Sequence, residues 1–413
     1  MDVHRILAKD VTPEEFYRDF VRARLPAVFS DHIPDKSWKG ALWTDHSYLK
    51  QKAGDLKVRV ERRSDAGDVY GRGREEFTPF CAFLKRVEAS DETIYLTTQE
   101  LEYSIEGRPS LYSHPVTGLL DDFPPVPAMC GNLIPQNVNI WMGCSNTPSS
   151  SGLHHDFHDN LYVLLKGEKH FTIYDSSEAA NMYTVGSISK IHPNGRINYE
   201  KLRPTNADGS DVSSSAALEA SISLGIAAAL LCRAQEAGED EDEADEALDK
   251  ALEAVLDAET AGDDFDENDY DDYNDEEKEE EDVVSVPIGI KRVASAGAGQ
   301  ISSKSSRLSV TAAQPPNFSK VDTRLPDEQL LARFPLYAEA RQRRIDLTLK
   351  AGEMLFLPAG YFHEVRSSGG EHMAFNYWFH PAETKEDVCS FENPYSSTFW
   401  KQDWDSRAAF GKV

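Results

Sequence analysis

The sequence predicts a mostly β chain with flanking helices, built as a sandwich or barrel and split by one long acidic insertion. Short apolar runs with period-two alternation, bounded by Gly, Pro and Asn, recur at close spacing over residues 131–203 and again over 317–383. A mixed α/β region precedes them, over 1–130. Between 204 and 316 the strand signals stop, and an acidic run followed by a Ser/Ala/Gly-rich run takes their place.

Taken in order, Thr12-Pro13-Glu14-Glu15 is a capping-box helix start with Pro at the first helical position, and Phe16, Phe20 and Val21 give that helix an apolar side. Residues 56–61 alternate as a strand, 77–87 carry a second helix, and 94–96 form a short strand. The Pro-rich run 123–127 closes the region. Residues 161–165 and 169–174 flank Lys166-Gly167-Glu168, the pattern of a hairpin. Residues 176–203 are surface loops and short strands. In the insertion, 213–233 is Ala/Leu-rich and helical, and the remainder is expected to be largely disordered. The plain reading of the insertion is a tolerated, solvated segment; the functional one is a regulatory or partner-docking arm, whose acidic run could bind basic partners. Strands resume at 345–350, 354–357, 362–366 and 372–379, separated by turns at Ala351-Gly352, Pro358-Ala359-Gly360 and Ser368-Gly369-Gly370. An aromatic-bearing tail, 384–413, packs back on the domain.

With 413 residues, 40% of them hydrophobic, the chain can bury a core of one large or two modest domains. Its net charge is −28, but residues 236–282 hold 26 acidic side chains against Lys250 and Lys278, which leaves −4 for the rest. Nucleic-acid binding through a strongly basic face is disfavoured on that ground. The five cysteines are scattered and show no C-x-x-C spacing, which suits a reducing compartment. The first residues have no apolar signal core, and the longest uncharged apolar window, 220–232, is too short to span a bilayer. The expectation is a cytoplasmic or nuclear protein without a membrane partner.

The chemistry is carried by His154-His155-Asp156. Residues i and i+2 of a strand share a face, so His154 and Asp156 can reach one metal ion together while His155 points away. A second histidine, His363, sits far downstream in LPAGYFHEV. Two histidines and one carboxylate with open positions make the facial triad of non-haem Fe(II) oxygenases. Each residue also has a plain reading. His154 and Asp156 alone would be a hydrogen-bonded pair, His363 a core histidine, Lys169 a surface lysine, and Ser151 a turn hydroxyl. Trp141 and Trp378 are expected in the barrel core, His158 on the ligands' face and His170 on the outer surface.

Six ordered motifs together resemble the JmjC-domain 2-oxoglutarate oxygenases, and the small protein hydroxylases more than the large histone demethylases. They are Tyr95-Leu96-x-x-Gln99, His154-x-Asp156, Asn160-Leu161-Tyr162, Gly167-Glu168-Lys169, LPAGYFHEV around His363, and Asn376-Tyr377-Trp378-Phe379. The resemblance implies a double-stranded β-helix (the jelly roll of cupins) holding Fe(II) through His154, Asp156 and His363. It implies that Lys169 pairs with the distal carboxylate of the cosubstrate 2-oxoglutarate, helped by Tyr95 and Ser151. Asn160 and Asn376 would lie near its metal-bound end, and O2 would take the remaining position. The implied activity is hydroxylation of a protein side chain, lysine or arginine among the candidates. The alternatives are N-methyl-lysine demethylation, hydroxylation of a tRNA base, which the lack of a basic excess weakens, and a non-catalytic module binding through the acidic arm. Oligomeric state is left open.

Overall fold

The computed structural model describes residues 3–64, 73–100, 110–237, 242–261, 314–385 and 387–409. β1 (His4–Ile6) lies parallel to β2 (Ala27–Phe29). Between them the capping box starts α1 (Pro13–Phe16): the Glu15 amide donates to the Thr12 hydroxyl, and the Thr12 amide donates back to the Glu15 carboxylate. The chain winds on through Tyr17–Val21 and buries Phe16, Phe20 and Val21. α2 (His46–Ala53), β3 (Lys57–Arg62), β4 (Arg74–Pro79), α3 (Phe80–Glu88) and β5 (Ile94–Leu96) follow. The helix expected over 77–87 begins at Phe80, because Phe77 and Thr78 belong to β4 and Pro79 ends that strand.

The central strands are β6 (Pro135–Ser145), β7 (Ser149–Ser150), β8 (His154–His155) and β9 (Asp159–Tyr174). β10 (Ile188–Ile191) and β11 (Ile197–Tyr199) pair as a separate two-stranded sheet. After the insertion come β12 (Ile345–Lys350), β13 (Met354–Leu357) and β14 (Phe362–Phe379). β1 to β9 and β12 to β14 form one twelve-stranded sheet with the path β1-β2-β13-β9-β14-β6-β5-β3-β4; β12 joins β9, and β7 and β8 join β14.

Two expected features are absent. No hairpin forms at Lys166-Gly167-Glu168, and no turn at Ser368-Gly369-Gly370; β9 and β14 run through both places and pair antiparallel along their length. The glycines bend the strands instead. Gly167, Gly369 and Gly370 all have positive φ, and the register between β9 and β14 shifts there. The shift changes which residues face inward. On the first half of β9, Leu161 and Val163 join the core shared with the N-terminal helices, whereas Tyr162 and Leu164 belong to the inner cluster. Beyond Gly167 the parity reverses, and Phe171 and Ile173 are the inward pair. β14 reverses likewise, from His363, Val365 and Ser367 on the cavity wall before its glycines to Trp378 after them.

The N-terminal region closes one face of the sheet with aromatic side chains: Phe16 meets Phe356 edge-on at 5.1 Å, and Trp43 and Phe123 each meet Phe375 at 5.1 Å. A second cluster gathers Tyr174, Tyr199 and Phe362 with α6 (Asp327–Arg333) and α7 (Pro335–Ala340). The C-terminal residues return to the barrel, where Trp400, on α8 (Phe399–Ala409), stacks on His380 and Tyr395 bridges Ile134 and His380.

Within the insertion, the helix expected over 213–233 is present, and a second helix forms in the acidic stretch after it, where disorder was expected. Ala/Leu-rich and Glu/Ala-rich sequence of high helix propensity forms α4 (Val212–Ala237) and α5 (Asp242–Ala261), which pack on each other. Residues 262–313, including the rest of the acidic run, lie outside the described residues. Val212–Gln235 is long and apolar enough to cross a bilayer by length and composition, and little of it is buried. The charge-free window 220–232 understated this helix, which continues past Glu219 and Arg233 at its two ends.

Candidate metal centre

His363 on β14 pairs directly with His154 on β8, so the two imidazoles stand side by side with centroids 4.4 Å apart. Asp156, two residues along from His154, turns to the same place, as strand alternation requires. Ligand atoms of His154, Asp156 and His363 all lie within 4.8 Å of one another. His363 Nε2 is 4.0 Å from Asp156 Oδ2. Both imidazoles are oriented through Nδ1, which donates to a backbone carbonyl: Gly152 O at 2.9 Å for His154 and Tyr361 O at 3.0 Å for His363. Each Nε2 lone pair is thereby left to face the centre. Burial, with His363 beside it, holds His154 down to about 4, so the ring is neutral at physiological pH. Burial would raise the Asp156 carboxyl, but the two imidazoles and the Asn160 amide bring it below its usual range.

A chain of amides orients the carboxylate. Asn139 donates to Asn376 (3.2 Å), Asn376 to Asn160 (3.0 Å), and Asn160 to Asp156 Oδ2 (3.2 Å). A carboxylate only accepts, which sets the direction of the whole relay. Trp378 Nε1 adds a bond to the same oxygen at 3.3 Å. Asn376, expected beside the cosubstrate, is fully buried behind Asn160 and does not line the cavity. It faces inward from β14, and Asn160 stands between it and the open space.

The triad opens into a cavity of about 360 Å3 whose wall includes Tyr95, Ser151, Asn160 and Lys169. Lys169 is 3% exposed; its ammonium donates to the Ser367 hydroxyl and to His372 Nδ1, the latter at 3.1 Å. His372 is neutral, held well below its ordinary value by burial and by Lys169, and its Nε2 bonds Ser145. Burial alone brings Lys169 down to about 7. Ser151 also faces the cavity, but its hydroxyl donates to Gly152 O and accepts from the Val365 amide. His155 points away from the centre and bonds the Tyr199 hydroxyl, His158 stacks over Trp378, and His170 is on the outer surface. Trp141 and Trp378, expected in the core, line the cavity instead; Trp141 Nε1 donates to Thr98. Alternation onward from His363 through Val365 could have found Ser367. Nothing local marks His372, which comes beside Lys169 only through the Gly369-Gly370 bend.

A model of the cupin-like domain matches residues 13–385. The chain is 34% identical to JmjC domain-containing protein 4 of Schizosaccharomyces pombe, over 94% of this chain and 85% of that protein. The chain belongs to the cupin-like JmjC family. It is also 25% identical to the Homo sapiens bifunctional peptidase and (3S)-lysyl hydroxylase JMJD7, over 42% of this chain and 54% of that protein. Its identity to the Arabidopsis thaliana lysine-specific demethylase JMJ32 is 27%, over 48% and 56%. The JmjC family thus includes protein hydroxylases and demethylases, and its members use Fe(II) and 2-oxoglutarate. This JmjC chain has residues that fit those groups. Two oriented neutral imidazoles and one carboxylate suit a ferrous ion and leave positions open. A buried ammonium with neutral partners on the same cavity wall is stabilised by an incoming carboxylate.

Proposed function

We propose that this JmjC chain is an Fe(II)- and 2-oxoglutarate-dependent dioxygenase that hydroxylates a side chain of a protein substrate, a lysine or an arginine. The observation that carries the reading is one cavity bearing both a convergent His-Asp-His set and a buried lysine. His154, Asp156 and His363 would hold the metal, and Lys169, with Ser367 and Tyr95 nearby, the far carboxylate of the cosubstrate. When bound, Fe(II) and 2-oxoglutarate supply the oxidation, taking up O2, releasing succinate and CO2, and delivering one oxygen atom to a substrate C–H bond. The chain's own part is orientation and dryness. The amide relay fixes Asp156, the backbone carbonyls fix both imidazoles, and Trp141, Tyr162, Phe171 and Leu355 keep the cavity wall apolar. The likeness to a lysyl hydroxylase supports lysine as the target class.

Anaerobic calorimetry with Mn(II) and then 2-oxoglutarate tests the site. Both should bind the full chain, and His154→Ala should lose metal binding and succinate formation while keeping its circular dichroism and melting. No binding by the wild type would favour a non-catalytic module. The likeness to JMJ32 supports a second reading, N-methyl-lysine demethylation at the same site. Peptide mass separates the two: hydroxylation adds one oxygen, and demethylation removes one methyl. The acidic segment is proposed to recruit a basic substrate by long-range attraction.

A further inference from the structure

We infer that Asn317 and Phe318, where the chain re-enters the barrel after the insertion, are positioning residues for the metal ligand His154; this rests on the metal reading of the site. β8, which carries His154, is two residues long and cannot hold its own course. One edge pairs with Phe362 and His363 of β14. The other is held by Asn317 and Phe318. The His155 amide donates to Asn317 O at 3.2 Å, Asn317 Nδ2 donates to His155 O at 2.6 Å, and Phe318 forms a β-bridge with His154. The re-entering segment is itself pinned. The Val185 amide donates to Phe318 O at 2.8 Å, the Gly186 amide to Pro316 O at 3.0 Å, and the Ser319 amide to Leu153 O at 2.8 Å.

From that fixed backbone the Phe318 ring lies almost parallel to the His154 imidazole, 4.9 Å between centroids and 12° between planes. The Nδ1 bond to Gly152 O sets which nitrogen faces the centre but not the tilt of the ring about it. The flat face of Phe318 sets the tilt. Phe318 also lines the cavity with Asn317 and Pro315. One wall of the site, and the orientation of its first ligand, are therefore supplied from beyond the insertion.

The test uses the full chain and two readouts that need no turnover: Mn(II) affinity by electron paramagnetic resonance titration, and the ligand-field absorption of the Co(II)-loaded site. Phe318→Leu keeps bulk but loses the flat ring. It should weaken Mn(II) binding about tenfold, the low end for residues that orient metal ligands, and shift the Co(II) bands. Phe318→Tyr should restore both. Phe318→Ala should match the leucine variant, and if it does not fold, the leucine variant carries the comparison alone. Wild-type Mn(II) affinity and an unchanged Co(II) spectrum in Phe318→Leu would overturn the inference. A wild-type chain that binds neither ion would instead overturn the metal reading beneath it.

Discussion

At Lys169, burial lowers the ammonium from its ordinary 10.5 to about 7, and this has two consequences with definite signs. Because the folded value lies below the unfolded one, the unfolded chain holds an extra proton between them, and stability of the ligand-free protein should rise with pH through that window. A bound carboxylate favours the charged form and raises the value again. Binding of 2-oxoglutarate to the Mn(II)-loaded protein should therefore take up a proton at pH 8, and affinity should fall as pH climbs above about 7. Calorimetry in two buffers of different ionisation enthalpy measures the uptake. Lys169→Met should lose both the uptake and the stability slope, and no uptake by the wild type would show that Lys169 is not the anchor.

The element that makes Lys169 available is β9, through Gly167. Its φ of 82° is open to glycine at no cost, and a Cβ there would sit 2.8 Å from the Glu371 carbonyl oxygen, a backbone atom with little room to yield. The bend also reverses which residues face inward, so that Lys169 rather than its neighbour meets the cavity. Gly167→Ala should cost about 1–3 kcal/mol of stability, the usual range for a strained backbone position. It should weaken 2-oxoglutarate binding more than Mn(II) binding, because the triad residues lie outside the bend. Melting and the two calorimetric titrations together check this; an equal loss of both ligands would point to general unfolding.

Across the whole molecule, Arg24 and Asp159 tie the N-terminal region to the start of β9. Two guanidinium nitrogens reach the two carboxylate oxygens at 2.8 and 2.5 Å, Asp159 is fully buried, and the Ala359 amide donates to it as well. Arg24→Met leaves a buried charge without its partner and should cost about 3–5 kcal/mol in urea unfolding. Adding Asp159→Asn should recover part of that loss. The charge distribution acts at the same scale. Replacing the acidic residues of 263–282 with serine should raise the KM for a basic peptide substrate at low salt, and the difference should vanish at high salt. Turnover of 2-oxoglutarate without substrate should not change. That range leaves α4 and α5 intact, so any effect belongs to charge rather than to the helix pair.

The sequence by itself determined what depends on near neighbours. The capping box placed α1, alternation sent His154 and Asp156 to one side and His155 to the other, and the charge count confined the acidity to one segment. Tertiary structure alone decided what depends on distant strands meeting. Read locally, Gly167 and Gly369-Gly370 are turns; paired along β9 and β14 they are bends that reverse the inward face and bring Ser367 and His372 to Lys169. Pairing likewise put Asn376 behind Asn160, opened Trp141 and Trp378 to the cavity, and laid Phe318 against His154. Periodicity fixes a face only within an unbroken strand, and where the strand bends, the partner across the sheet decides which side is in.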